Sequence, residues 1–340
     1  MPLTKPLLLI CSFLIFHLLS TPTTSTNTSS IAYQVLPFIR VFENGTVERL
    51  TGTETVPASY DSTSRVLSKD ISIPISRALN ITARLYRPAN ATADSRKLPL
   101  LVYFHGGAFF VESAFSPTYH NHLNSVVSKA HVVGVSVNYR LAPEHPLPTA
   151  YRDSWHALKW AFSRGREPWL ERYVDFKRVY VAGDSAGGNI AHNVGIRAGL
   201  DERARIDLKG MFLNCPRFWG EELIGNERRN PRRVAFVESV WVHAYPKSTG
   251  FDDPLLNPLK DPNLSMLGPK EVLVYVGEKD IYRDRGFAYG KALKKSKWGG
   301  VVQVIEVKGE DHVFNLNFPN STKAKVMLGQ LALFLDQGRT

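Results

Sequence analysis

From residue 98 onward the chain alternates between two textures. Short apolar runs of strand length, Leu98–Phe104, Val132–Val137, Val179–Ala182, Gly210–Leu213, Glu271–Val276 and Val301–Val307, are separated by segments of helical character near 118–130, 149–163, 186–199, 283–296 and 322–337. A strand that reads apolar on both faces belongs in a parallel sheet covered by helices on each side. Strand and helix alternating over this length predict one α/β domain with a mostly parallel central sheet. Upstream, Phe38–Arg49 is interrupted by Asn44-Gly45, a strong hairpin turn signal, and 65–75 and 80–87 read as further strands. Residues 217–265 are rich in Trp, Pro, Arg and Asp and weakly periodic. They read as an insertion above the sheet, which with the N-terminal 31–65 segment makes a cap.

A chain of 340 residues could hold one large domain or two. No repeat or low-complexity linker divides it, so residues 26–340 read as a single domain carrying the 217–265 insertion. The two cysteines, Cys11 and Cys215, cannot build a disulfide framework, and no Cys/His spacing suggests a metal site. The net charge of +11 reads as a solvated basic surface. Its densest run is Arg228, Arg229, Arg232 and Arg233, with no aromatic platform or groove-reading motif beside it, so nucleic acid is not an expected partner.

Lys5 precedes an apolar run from Leu7 to Leu19, followed by Ser20, Thr21, Pro22, Thr23, Thr24 and Ser25. That order of charge, short apolar stretch and small polar residues predicts a signal peptide over 1–25. The run falls short of the roughly 20 apolar residues of a bilayer span, so no stable membrane insertion is expected once it is removed. Asn-x-Ser/Thr sequons occur at Asn27, Asn44, Asn80, Asn90, Asn263 and Asn320, where chance would give about two. Both features favour the secretory route, to the vacuole, the endoplasmic reticulum or the exterior.

Val179–Ala182 runs into Gly183-Asp184-Ser185-Ala186-Gly187-Gly188, and a helical segment begins there. Gly-x-Ser-x-Gly between a strand and a helix is the nucleophile elbow. The serine backbone is strained and its second neighbours must be small. The turn lifts the hydroxyl above the sheet and leaves the Ala186 N–H near the helix start, where it can bind a developing oxyanion. About 80 residues earlier, the strand Leu98–Phe104 ends in His105-Gly106-Gly107-Ala108-Phe109. Glycines after a core strand expose backbone N–H groups, so Gly106, Gly107, Ala108 and Ala186 are the expected oxyanion donors.

With Tyr139-Arg140-Leu141-Ala142-Pro143-Glu144 these motifs resemble the hormone-sensitive-lipase group of α/β-hydrolases. The stretches Tyr151–Trp160, Phe218–Glu222, Asp252–Pro258 and Gly309–Phe314 are similar to its plant carboxylesterase branch, and the resemblance spans roughly 35–338. It implies an α/β-hydrolase fold, a small-molecule ester substrate and no cofactor or metal. Most members are cytoplasmic, which is the alternative to the secretory reading. Where the family usually has a third glycine, this chain has Ala108.

A serine hydroxyl needs a base. In this fold the triad follows the order Ser, Asp or Glu, His. Asp280 follows the strand Glu271–Val276, and His312 follows Val301–Val307. Glu278 and Asp284 compete locally for the acid role. The expected chemistry is hydrolysis of a small to medium specialised-metabolite ester through an acyl-enzyme on Ser185. Relatives also use such a site for elimination or ring closure, which leaves a lyase or cyclase as the alternative. The related gibberellin receptors lack the triad histidine, so a pure binder is disfavoured. Phe109, Phe110, Phe218, Trp219 and Trp241 are candidates for the substrate pocket, though each could equally be core.

Overall fold

The computed structural model describes residues 30–92, 96–163 and 167–336. The expected leader, Cys11 and the Asn27 sequon lie outside them. In chain order the elements are β1 (Ile31–Val35), β2 (Ile39–Phe42), β3 (Val47–Arg49), β4 (Tyr60–Asp61), β5 (Val66–Pro74), β6 (Asn80–Pro88) and β7 (Leu98–Phe104). They continue with α1 (Pro117–Ala130), β8 (Val133–Asn138), α2 (Thr149–Phe162), α3 (Pro168–Tyr173), β9 (Val174–Asp184), α4 (Ala186–Leu200), β10 (Gly210–Asn214) and α5 (Pro231–Ala244). The last are β11 (Glu271–Gly277), α6 (Arg283–Lys295), β12 (Val301–Val307), α7 (Phe314–Asn317) and α8 (Thr322–Asp336).

Nine strands form one sheet in the order β12-β11-β10-β9-β7-β8-β6-β5-β4, and β1-β2-β3 form a small separate one. From β8 to β12 every neighbouring pair is parallel, while β4, β5 and β6 add an antiparallel margin. Every side chain of β7 and β10 is buried, as a two-faced apolar run requires. β12 departs from that expectation. It is the edge strand, and Val301 is 70% exposed there because no neighbour covers it. One face of the sheet packs against α1 and α8 through residues such as Leu123, Val126, Met327 and Leu331. The other packs against α2, α4 and α6 through Trp155, Ile190 and Tyr289. Among the described residues, no helix is long and apolar enough to cross a membrane.

The 217–265 segment is more ordered than its sequence suggested. Asn230 caps α5 by accepting the Arg233 N–H, and Pro231 occupies the first turn, where a missing N–H costs nothing. Val237, Val240, Trp241 and Ala244 form a buried stripe at helical spacing. These residues, with Phe218, Trp219 and Leu256, belong to the same core as the sheet. A buried ion pair holds the segment to α6. Arg285 donates to Glu227 at 2.7 and 2.8 Å and to the Glu222 carbonyl at 2.7 Å. The Glu227 side chain is fully buried and that of Arg285 is 3% exposed.

Removing one partner of such a pair strands the other charge in the core. Glu227→Ala is expected to lower the unfolding free energy by about 3 kcal/mol in urea titrations. A loss below about 1 kcal/mol would mean that water reaches Arg285 in the folded protein.

Candidate active site

Left-handed backbone at non-glycine residues costs energy and collects where structure over-determines it. Here Ala108, Phe109, Ser185, Cys215 and Val313 all have positive φ, and all lie just past the carboxyl ends of β7, β9, β10 and β12. That is the end of the sheet where α/β folds build their sites.

Ser185 sits between β9 and α4 at φ 51° and ψ −117°, and it is half-buried. Its N–H donates to the Asn214 carbonyl at 2.9 Å, and its own carbonyl accepts from Asn189 and Arg217. Gly183 and Gly187 face each other across the turn, and a methyl group on Gly187 would run into the Phe104 carbonyl. The elbow is therefore clamped on both sides and against the end of β7.

His312 Nδ1 lies 2.9 Å from Asp280 Oδ2. The Tyr282 N–H donates to Asp280 Oδ1 at 3.0 Å, and the Cys215 Sγ lies within 4.8 Å of this carboxylate. Asp280 is buried, while the His312 side chain keeps 31% of its surface exposed. Burial alone would raise the Asp280 carboxyl, but the His312 charge and these hydrogen bonds hold it below its usual range. Burial likewise works against the imidazolium of His312. The Asp280 charge and hydrogen bond outweigh it, Asp184 and Asp311 add to them, and the ring is held above its ordinary value. Cys215 is buried and its thiol pushed well up, first by burial and then by the Asp280 charge. It is a protonated thiol there rather than a thiolate.

The competing acids are spent elsewhere. Glu278 binds Lys308 at 3.0 Å and the Gly309 N–H at 2.8 Å, and Asp284 binds Arg283 and the Asn226 N–H. His105 stacks on Tyr139 with ring centres 4.2 Å apart, and His192 contacts the Tyr289 hydroxyl at 3.0 Å.

The expected oxyanion donors need one correction. The Gly106 N–H is not free: it donates to the Tyr119 hydroxyl at 2.7 Å. Tyr119 in turn donates to Asp184 Oδ2 at 2.8 Å, and Tyr103 donates to Asp184 Oδ1 at 2.8 Å. Asp184 is buried, and burial pushes its carboxyl up to about 6. Gly107, Ala108 and Ala186 have no protein acceptor recorded for their N–H groups among the described residues. Ala108 holds φ 56°, where its methyl group is strained.

The five candidate pocket aromatics also need correcting. Phe109, Phe110, Phe218, Trp219 and Trp241 are at most 1% exposed. They pack on one another and on the core: Phe109 against Tyr151 and Trp241, Phe218 against Tyr289, Trp219 against Tyr282. They back the site and do not offer an open wall. Between the N-terminal segment and α5, Tyr33 stacks on His243 at 4.4 Å and Phe38 meets Phe236 at 5.9 Å. Sequence reading missed Tyr103, Tyr119 and Cys215 as neighbours of the site. The one available signal was Asp184, a carboxylate two residues past the apolar run Val179–Ala182.

A family whose description is an alpha/beta hydrolase fold matches residues 101–316. The chain is 44% identical over 309 residues to a probable carboxylesterase 2 of Arabidopsis thaliana, covering 90% of this chain and 97% of that protein. It is 42% identical over 331 residues to a 2-hydroxyisoflavanone dehydratase of Glycyrrhiza echinata, covering 93% and 100%. Among solved structures, a hyperthermophilic esterase from the archaeon Pyrobaculum calidifontis superposes with a TM-score of 0.68 at 30% identity, covering 79% of this chain and 85% of that one. The chain belongs to the α/β-hydrolase family, in its hormone-sensitive-lipase-like group with the plant carboxylesterases.

Two measurements follow. In Ser185→Ala protein, NMR titration of His312 should give a midpoint above 6.5, and adding Asp280→Asn should lower it. Because the folded value is the higher one, the His312 charge contributes its full stability below pH 6.5, as long as Asp280 stays ionised, and that contribution is lost as pH rises through the folded midpoint. A midpoint at or below 6.5 with Asp280 present would mean that burial wins. Ala108→Gly relieves a left-handed alanine and should raise the unfolding free energy by about 1 kcal/mol. Unchanged or lower stability would show that the Ala108 methyl makes packing contacts that offset its strain.

Proposed function

We propose that this chain is a carboxylic ester hydrolase in which Ser185 attacks the ester carbonyl, His312 takes its proton and Asp280 holds the imidazole. The observation that carries the reading is the buried Asp280 carboxylate, 2.9 Å from His312 Nδ1, on the loops around a serine elbow. The N–H groups of Gly107, Ala108 and Ala186 serve as the oxyanion donors. The alcohol leaves, and water activated by His312 releases the acid from Ser185. The chain is one catalytic domain, with 31–65 and 217–265 as its cap. In support of that cap, Tyr33 and Phe38 rest on α5. The substrate is a small to medium ester of specialised metabolism.

The family resemblance to a 2-hydroxyisoflavanone dehydratase favours one second reading, elimination at the same site. The two differ in product: hydrolysis yields an acid and an alcohol, elimination yields water and an unsaturated product.

The same proposal extends to the secretory route through the 1–25 leader, with glycans on the sequons. Five of the six sequon asparagines, Asn44, Asn80, Asn90, Asn263 and Asn320, are exposed, as an acceptor site requires.

The test uses the chain from residue 26 with p-nitrophenyl acetate. Ser185→Ala should lower kcat by about 10⁴-fold or more, and Asp280→Asn by about 10⁴-fold. Folded protein that neither hydrolyses the ester nor reacts with a fluorophosphonate would sink the hydrolase reading in favour of elimination or binding.

A further inference from the structure

Gly106 is squeezed between two side chains. A methyl group on it would run into Asp184 Oδ2 and would lie 2.9 Å from the Tyr119 hydroxyl. Asp184 immediately precedes the nucleophile, and Gly106 immediately precedes the loop donors Gly107 and Ala108. The Tyr119 hydroxyl therefore stands between the two halves of the site. It accepts the Gly106 N–H at 2.7 Å and donates to Asp184 Oδ2 at 2.8 Å. Tyr119 is 3% exposed and Asp184 1%, so water does not compete for either bond. A buried amide, hydroxyl and carboxylate joined in this way cost free energy if any one bond is lost.

We propose that Tyr119 is a positioning residue that sets the oxyanion loop relative to the Ser185 elbow, through the bridge Gly106 N–H to Tyr119 Oη to Asp184. The inference rests on the hydrolase reading. The bridge works by geometry: three consecutive residues, Gly107, Ala108 and Phe109, hold positive φ, a strained run with few bonds of its own. What anchors its start decides where the next two N–H groups lie. The far end is held independently, since the Phe109 carbonyl accepts from the Ala142 N–H at 2.9 Å and the Phe110 carbonyl accepts from Arg49 Nε at 2.8 Å. Tyr119 comes from the first turn of α1, so the packing of that helix on the sheet is transmitted to the loop.

The structure supplies its own control. Tyr103 makes the same bond to the other oxygen of Asp184, at 2.8 Å, and is equally buried, but it does not touch the loop. Tyr119→Phe and Tyr103→Phe thus each remove one hydroxyl donor from the same carboxylate, and only the first frees the Gly106 N–H, while the Gly106 carbonyl keeps its contacts to His105 and Tyr139. The experiment compares both variants with wild type for p-nitrophenyl acetate kinetics, for inhibition by an aryl trifluoromethyl ketone, whose adduct carries an oxyanion, and for thermal unfolding. Tyr119→Phe is expected to lose about 10- to 100-fold in kcat with KM little changed, and the ketone should weaken by a similar factor. Tyr103→Phe should keep kcat within about threefold of wild type. Hydrogen exchange across 106–111 should quicken in Tyr119→Phe alone. Wild-type kcat in Tyr119→Phe, or equal losses in both variants that track their unfolding temperatures, would overturn the proposal. Wild-type protein without esterase activity would instead count against the hydrolase reading. Exchange over 106–111 would still decide whether Tyr119 anchors the loop.

Discussion

Strand β7, the serine elbow and helix α4 meet backbone against backbone. Gly183 and Gly187 touch across the turn, and Gly187 lies against the carbonyls of Phe104 and His105. No side chain fits between them. This contact fixes where Ser185 stands and forces its backbone into the left-handed region. It also brings the end of β7, with its glycine loop, beside the first N–H groups of α4. The rest of the site is arranged around that meeting point.

The two arms of the site are held by different physics. On one side, a buried carboxylate gathers donors: Asp280 takes hydrogen bonds from His312 and the Tyr282 N–H, with the Cys215 thiol close by. A carboxylate so partnered stays ionised even when buried. It therefore keeps one imidazole tautomer and orientation. On the other side, Asp184 is equally buried but receives two tyrosine hydroxyls, and burial dominates. One fold thus keeps two carboxylates within reach of one histidine at separate set points. The difference lies first in the His312 charge, which Asp280 meets at hydrogen-bond distance, and then in the donors around each carboxylate.

Backbone strain marks the same region. Cys215 and Val313 are left-handed without being glycine, and Val313 is β-branched, which makes the conformation costly. Their strain is offset by a sheet that is buried on both faces and by helices that share its core. Segment 217–265 belongs to that support: α5 contributes a buried stripe to the main core, and the Arg285–Glu227 pair pins the segment to α6.

The sequence by itself determined the order of strands and helices, because period and turn chemistry are local. β7 and β12 span Leu98–Phe104 and Val301–Val307 as their apolar runs do, and most helices agree within a residue or two. It also determined the order of the elbow serine, the acid and the histidine along the chain. α5 was hidden, since its cap and first-turn proline were overlooked amid charged residues, although its apolar spacing is helical. Tertiary structure alone decided what each group is bonded to. Gly106 and Tyr119 are 13 residues apart, Tyr119 and Asp184 are 65 apart, and no local rule says that they share a hydrogen-bonded bridge. The same holds for the aromatics. A phenylalanine or tryptophan beside a site reads alike as wall or as core, and only the packing of distant elements around Phe109, Phe218 and Trp241 made them core.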